Sequence, residues 1–163
     1  MLSAFDHFKT TSKSEYKLLI VGEKIWKNVS FEETLNSLQH KNDVVFTGRL
    51  SSENLNRVIG SSNGLIYVSY FEGFGIPIIE GMKCGVPIIT SNTTSMPEVA
   101  GEAAILVDPF SIDSISNGMQ QLLDKETSDK LITLGNQRVL NFTWDNTAEK
   151  VWESIEKVLT MPS

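Results

Sequence analysis

Two carboxylates frame a glycine-rich turn in the stretch Ser69-Tyr70-Phe71-Glu72-Gly73-Phe74-Gly75-Ile76-Pro77-Ile78-Ile79-Glu80-Gly81-Met82. Glu72 and Glu80 are separated by seven residues. Gly73 and Gly75 let a backbone turn tightly and approach a ligand with no side chain in between. Pro77 suits the first turn of a helix. Such a turn presents unpaired N–H groups at the positive end of the helix dipole, which is a receptor for phosphate. Glu80 falls about one turn into that helix and can point to the same mouth. Carboxylates do not receive phosphates; they receive hydroxyl groups. A ligand with a diphosphate in its middle and a polyol at each end meets all three features, and a nucleotide sugar is built that way. Two other readings stand beside this one. Spacing alone also fits two solvated acids on a surface loop, or a general acid/base pair for glycoside hydrolysis. Against hydrolysis, Glu80 lies inside the helix whose start would hold phosphate.

Such a turn needs a strand to lead into it and a helix to leave it. Short runs rich in Val, Ile and Leu alternate with amphipathic segments, the pattern of βαβ units and a parallel sheet. The runs predict strands at Tyr16–Val21, Asp43–Thr47, Gly64–Ser69, Val86–Thr90 and Ala103–Val107. Their near-continuous apolar character suits strands covered on both faces. Ser30 and Glu33 fit a capping box, as do Ser95 and Glu98. Ser51 or Ser52 can cap the helix carrying Leu55, Val58 and Ile59. Gly85 can stop the helix that Pro77 begins. Beyond Pro109 the pattern is helical only. Ile112, Ile115, Met119, Leu122 and Leu123 mark one helix, and Leu131, Leu134, Val139 and Leu140 a second. A third is capped by Thr143 and faced by Val151, Trp152, Ile155 and Val158. The fold class expected is α/β: a Rossmann-like, doubly wound parallel sheet with C-terminal helices. Ligands of such folds bind beyond the carboxyl ends of the strands, here after Val21, Thr47, Ser69 and Thr90.

The segment Glu72–Glu80, E-G-F-G-I-P-I-I-E, resembles the E-x7-E signature of retaining GT-B glycosyltransferases of family GT4. The likeness continues through G-M-K-C-G-V-P-I-I-T-S-N-T-T-S-M-P-E-V-A-G-E-A-A-I-L-V-D-P. It also covers K-L-L-I-V-G-E-K-I-W, V-V-F-T-G-R-L-S-S-E-N-L and the late F-T-W-D-N-T-A, so it runs from Tyr16 to about Leu159. The resemblance implies the C-terminal, nucleotide-sugar-binding half of a GT-B enzyme, similar to mannosyltransferases. By that resemblance Glu80 would hold the ribose hydroxyls. Gly73, Phe74, Gly75 and Ile76 would meet the diphosphate and sugar. Glu72 would contact the transferred sugar near the reacting carbon. Arg49 and Leu50 would border the nucleobase, and Thr94, in the loop Asn92–Ser95, would face the phosphates. The donor implied is a nucleotide diphosphate sugar, with a lean to GDP-mannose. A helix N-terminus stabilises a leaving diphosphate without an ion, so no metal or other cofactor is expected.

The family's C-terminal half usually opens on a strand and a turn that supplies cations for the diphosphate. This chain opens Met1-Leu2-Ser3-Ala4-Phe5-Asp6-His7-Phe8, which resembles the helix after that turn. The expectation is a fragment or truncated gene product of 163 residues that lacks its first strand and its N-terminal acceptor domain. It should be inactive alone and prone to self-association through the uncovered surface. Lys24, Lys27 and Arg49 are replacement cations to consider.

Composition narrows the classes. A net charge of −6, with no cluster of Lys and Arg, excludes general nucleic-acid binding and leaves any diphosphate to a local device. No apolar run is long enough to cross a membrane. One cysteine, Cys84, forms no internal disulfide and reads as buried filler, so a cytoplasmic setting is expected. His7 and His40 are isolated, without metal-ligand spacing. Trp26, Trp144 and Trp152 read as packing residues, with a ligand role for Trp26 left open. Two rival functions remain. One is a non-catalytic binding or interaction module with a decayed site, favoured by the absent cations and opposed by Glu72, Gly75 and Glu80. The other is a flavodoxin-like signalling domain, which needs an Asp where Val68 leads to Ser69-Tyr70.

Overall fold

The computed structural model describes residues 1–23 and 29–160. Helix α1 (Leu2–Ser12) leads to strand β1 (Leu18–Val21), helix α2 (Val29–Ser37) and strand β2 (Val44–Gly48). Helix α3 (Ser52–Gly60), strand β3 (Leu65–Tyr67), helix α4 (Ile76–Lys83) and strand β4 (Ile88–Ser91) follow. Then come α5 (Met96–Ala100), β5 (Ala104–Val107), α6 (Ile112–Gln121), α7 (Lys125–Arg138) and α8 (Trp144–Leu159). All five expected strands form, with shifted ends. Pro87, inside the expected fourth strand, has no N–H for a ladder; its carbonyl accepts from Leu65 N–H, and β4 begins one residue later.

The strands pair in parallel, as two ladders: β1–β2, and β3–β4–β5. A single five-stranded ladder is not formed, because β1 and β3 do not exchange backbone hydrogen bonds. A common core joins the two sheets. Phe5 and Phe8 of α1 pack with Val44 of β2, Ile89 of β4, Val107 of β5 and Ile115 and Met119 of α6. Helix α1 earns this position by its spacing, with Leu2, Phe5, Phe8 and Lys9 buried along one side. Lys9 is only 6% exposed; its ammonium pairs with Asp43 at 2.8 Å and donates to the Tyr16 carbonyl at 3.0 Å. That bond holds the Asp43 carboxyl below the usual carboxylate range. A second cluster, built on Ile78, Met82, Ile88 and Met96, sits under α4 and α5.

The expected caps Ser51 and Thr143 form, and the structure adds Ser111 and Asp124. Ser51, Ser111 and Thr143 accept N–H bonds at the starts of α3, α6 and α8, and Asp124 does the same for α7. Helix α2 starts at Val29, one residue before the expected cap Ser30. Helix α8 departs from expectation more. It buries none of its residues, and Trp144 and Trp152 are 88% and 60% exposed, so neither is a packing residue here. None of the described helices is long and apolar enough to cross a membrane.

Candidate functional site

Strand β4 is buried at all four positions, yet it ends in Thr90 and Ser91. Buried hydroxyls need partners, and these find them on the strand next door. Thr90 Oγ1 donates to the Tyr67 carbonyl at 2.8 Å, and Ser91 Oγ donates to the Ser69 carbonyl at 2.6 Å. The run continues into the loop. Thr93 Oγ1 donates to Tyr70 O at 3.4 Å, and Thr94 Oγ1 accepts from Glu72 N–H at 3.3 Å. Ser95 Oγ reaches two carbonyls, Glu72 O at 3.0 Å and Phe74 O at 3.1 Å. Residues 90–95 thus fasten the backbone of 67–74 nearly residue by residue.

This fastening corrects the expected role of Ser95. It is the residue before α5, but its hydroxyl makes no cap bond and is spent on the other loop. The Ser95–Glu98 capping box is therefore absent. Sequence reasoning placed Asn92–Ser95 at the mouth for phosphate contact and missed the bracing. The signal was the small polar run Thr90-Ser91-Asn92-Thr93-Thr94-Ser95, five of its six residues bearing hydroxyls, after an apolar strand. Thr94 also adopts φ 54°, a left-handed conformation that a β-branched residue takes only under constraint.

Gly75 stands immediately before α4 with φ 101°. A Cβ there would come within 3.0 Å of Ile78 Cδ1 and 3.7 Å of Met96, so glycine is required twice over. Gly73 differs. Its φ is not positive and a Cβ would meet nothing within 4 Å, so the tight-turn role expected of it belongs to Gly75 alone. At the helix start, Pro77 has no N–H and Ile78 N–H is used on the Gly75 carbonyl. Ile76 N–H, in the first helical position, has no intrahelical acceptor by helix geometry. Phe74 is propped from behind: its ring meets Phe142 edge-on at 5.9 Å, and the Arg138 guanidinium covers Phe142 at 5.3 Å. Arg138 also donates to the carbonyls of Val99 and Glu98, tying α7 to α5.

The two carboxylates are held differently. Glu72 accepts from the Tyr67 hydroxyl at 2.5 Å. The bond from Tyr67, then one from Ser69, keeps its carboxyl below the usual carboxylate range. Tyr67 is raised, first by burial and then by its bond to Glu72. Glu80 is half-buried one turn inside α4, and its carboxylate makes no hydrogen bond or ion pair with the described residues. Its charge, after burial, contributes to raising the Cys84 thiol, so Cys84 is no activated nucleophile. Glu72, Gly73, Phe74, Gly75, Ile76, Glu80 and Thr94 are thus brought into one region around the start of α4. Arg49 and Leu50 are not among them by any hydrogen bond; they lie in the β2–α3 turn, on the other sheet, with Arg49 exposed. Lys24, Trp26 and Lys27 lie outside the described residues. Among the described residues no group of three His, Cys, Asp or Glu gathers as a metal site.

Comparison with known proteins bears on this arrangement. Residues 1–138 match the family model described as glycosyl transferases group 1. The O-antigen chain mannosyltransferase B of Escherichia coli is 30% identical over 147 residues, which are 90% of this chain and 39% of that protein. The MMP α-(1→4)-mannosyltransferase of Mycolicibacterium hassiacum is 32% identical over 72% of this chain and 30% of its own length. Among solved structures, the sucrose-phosphate synthase of Thermosynechococcus elongatus superposes with a TM-score of 0.80 at 23% identity, covering 97% of this chain and 42% of that one. HepE of Anabaena, solved with UDP and glucose, superposes at 0.78 and 15% identity over 95% of this chain and 44% of that one. At these identities the structural likeness speaks to the fold, which is part of a GT-B architecture. The chain spans less than half the length of each of these proteins.

Proposed function

The chain belongs to the glycosyl transferases group 1 family, and from that premise we propose that it is the donor-binding half of a retaining glycosyltransferase. The donor is a nucleotide diphosphate sugar. Glu80 holds the ribose, the backbone from Gly73 to Ile76 receives the diphosphate, and Glu72 accepts hydroxyls of the transferred sugar. Arg49 and Leu50 border the base, and Thr94 faces the phosphates. The observation that carries this reading is the fastening of the 67–74 backbone by residues 90–95. It sets an ionised carboxylate beside a glycine-started helix N-terminus.

Each part does what its chemistry allows. A helix N-terminus stabilises charge on the departing diphosphate without reorganising. Glu80, unpartnered among the described residues and at the same helix, offers both oxygens to a diol. The reading requires no metal, because the cradle is backbone N–H. Mannosyltransferase relatives support a GDP-mannose donor, and acceptors of glycan or lipid-linked glycan type. The acceptor domain and a first strand lie in sequence outside this chain. The isolated chain then binds donor without turning it over, in the cytoplasm or at the inner face of a membrane.

Calorimetric titration with UDP, GDP, UDP-glucose and GDP-mannose, with and without EDTA, tests the reading. Glu80→Gln should weaken diphosphates and nucleotide sugars alike, by about tenfold from one charge-assisted hydrogen bond. Glu72→Gln should weaken only the nucleotide sugars. No binding by any of the four, or binding lost on adding EDTA, would sink it.

A further inference from the structure

Glu72 is a solvent-side residue on a loop between exposed Phe71 and exposed Gly73. A glutamate so placed ordinarily samples several rotamers. Here its freedom is removed at three points. Its N–H is held by Thr94 Oγ1, its carbonyl by Ser95 Oγ, and its carboxylate by the Tyr67 hydroxyl at 2.5 Å. Tyr67 is in turn fixed at both ends. Its backbone lies in the β3–β4 ladder opposite Thr90 and accepts that residue's hydroxyl, and its ring packs against the cluster of Ile78, Met82 and Met96. The hydroxyl therefore stands at a defined place over the end of β3.

We propose that Tyr67 is a positioning residue for the sugar subsite. Its hydroxyl locks the Glu72 carboxylate in the one orientation whose remaining lone pairs accept hydroxyls of the transferred sugar. The proposal rests on the donor-site reading and refines it. The proton inventory is consistent: a phenol has one proton, it is given to the carboxylate, and the carboxylate stays an acceptor. Locking before the ligand arrives means that no rotamer freedom is lost on binding. It also supplies a bond that favours the ionised carboxylate, in line with the depressed Glu72 titration.

Tyr67→Phe keeps the ring in the core and deletes only the hydroxyl. The test reads two things on the 163-residue chain. One is the titration of the Glu72 carboxyl by carbon-13 NMR without ligand. The other is calorimetric affinity for GDP, UDP, GDP-mannose and UDP-glucose between the acid limit of folding and neutral pH. Expected for Tyr67→Phe is a Glu72 titration moved up toward the ordinary carboxylate range. Nucleotide-sugar affinity should fall about tenfold at neutral pH, with diphosphate affinity unchanged. The acid loss of nucleotide-sugar binding should begin at higher pH than in the wild type. In a Glu72→Gln background, Tyr67→Phe should add less than it does alone. A residue that merely filled the core would leave the Glu72 titration and the sugar-specific increment unmoved, and that result overturns the proposal. So does an equal loss for diphosphates and nucleotide sugars. If the wild-type chain binds no diphosphate or nucleotide sugar, the donor-site reading falls, and the subsite role of Tyr67 with it. The NMR titration then still decides whether the lock exists. Should Tyr67→Phe fail to fold, the Glu72 titration of the wild-type chain decides: a carboxyl in the ordinary carboxylate range means that no lock exists, and the proposal is wrong.

Discussion

The two sheets differ in how they are covered. Strand β4 in the three-stranded sheet is buried at every position, with Ile88 and Ile89 wholly enclosed. Strand β1 in the two-stranded sheet alternates, with Leu19 and Val21 47% and 38% exposed, and Val45 of β2 joins them. Both are parallel and both read as apolar in sequence. One is a rigid platform, and its hydroxyl-rich end braces the loop that would meet phosphate and sugar. The other is half-covered and carries Arg49 and Leu50, proposed to border the base. On the proposed reading, the tightly braced region would meet the phosphate and sugar, and the looser one the base.

The contrast can be broken most directly in the cores. Ile88→Ala should cost about 2–5 kcal/mol, whereas Leu19→Ala should cost under ~1 kcal/mol, because one leaves a cavity and the other is already wet. Urea denaturation followed by circular dichroism measures both, and equal costs would dissolve the distinction. Next in size, Gly75→Ala should destabilise by about 1–3 kcal/mol and also abolish diphosphate binding, since both φ and the Ile78 contact oppose a methyl group. Gly73→Ala, with open space and an ordinary φ, should fold like the wild type.

Ser95→Ala should cost about 1 kcal/mol for its paired carbonyls, and should weaken nucleotide-sugar binding more than its stability effect predicts. Thermal melts beside calorimetry would show whether bracing and binding are linked. The smallest effect expected is on pH. Asp43 has a folded-state carboxyl held below its unfolded value by Lys9. Its contribution is therefore present above the ordinary carboxylate range and is lost as pH falls through the lowered folded value. Asp43→Asn should flatten acid destabilisation slightly, and this anchors α1 and β2 rather than the binding loop. A matching change in diphosphate affinity would mean the two halves are coupled.

Much of this was legible beforehand for a physical reason. Apolar runs of strand length and cap residues act locally, so five strands and the caps Ser51 and Thr143 could be read from neighbours in the chain. Gly75 and Pro77 carried the helix start in the same way. What escaped was contact between separate elements, 23 residues apart for Ser95 and Glu72 and five for Tyr67 and Glu72. Ser95 looked like a cap because its nearest neighbours allow one, yet its hydroxyl serves Glu72 and Phe74. Tyr67 looked like another apolar strand residue, and nothing local announces that its hydroxyl lands on Glu72. Gly73 shows the converse, a glycine beside a turn whose conformation does not use its freedom.

Helix α8 gives the molecule an optical consequence. Two of the three tryptophans stand on it, both largely bare. Indole emission shifts to shorter wavelength when water is removed from the ring. The fluorescence of these two therefore reports less on the core than on what lies against α8. Binding of an acceptor domain, or of a second copy, along the face bearing Trp152, Ile155 and Leu159 would appear as a blue shift with no change in fold. A helix that buries none of its own residues is thus the one that would make assembly visible.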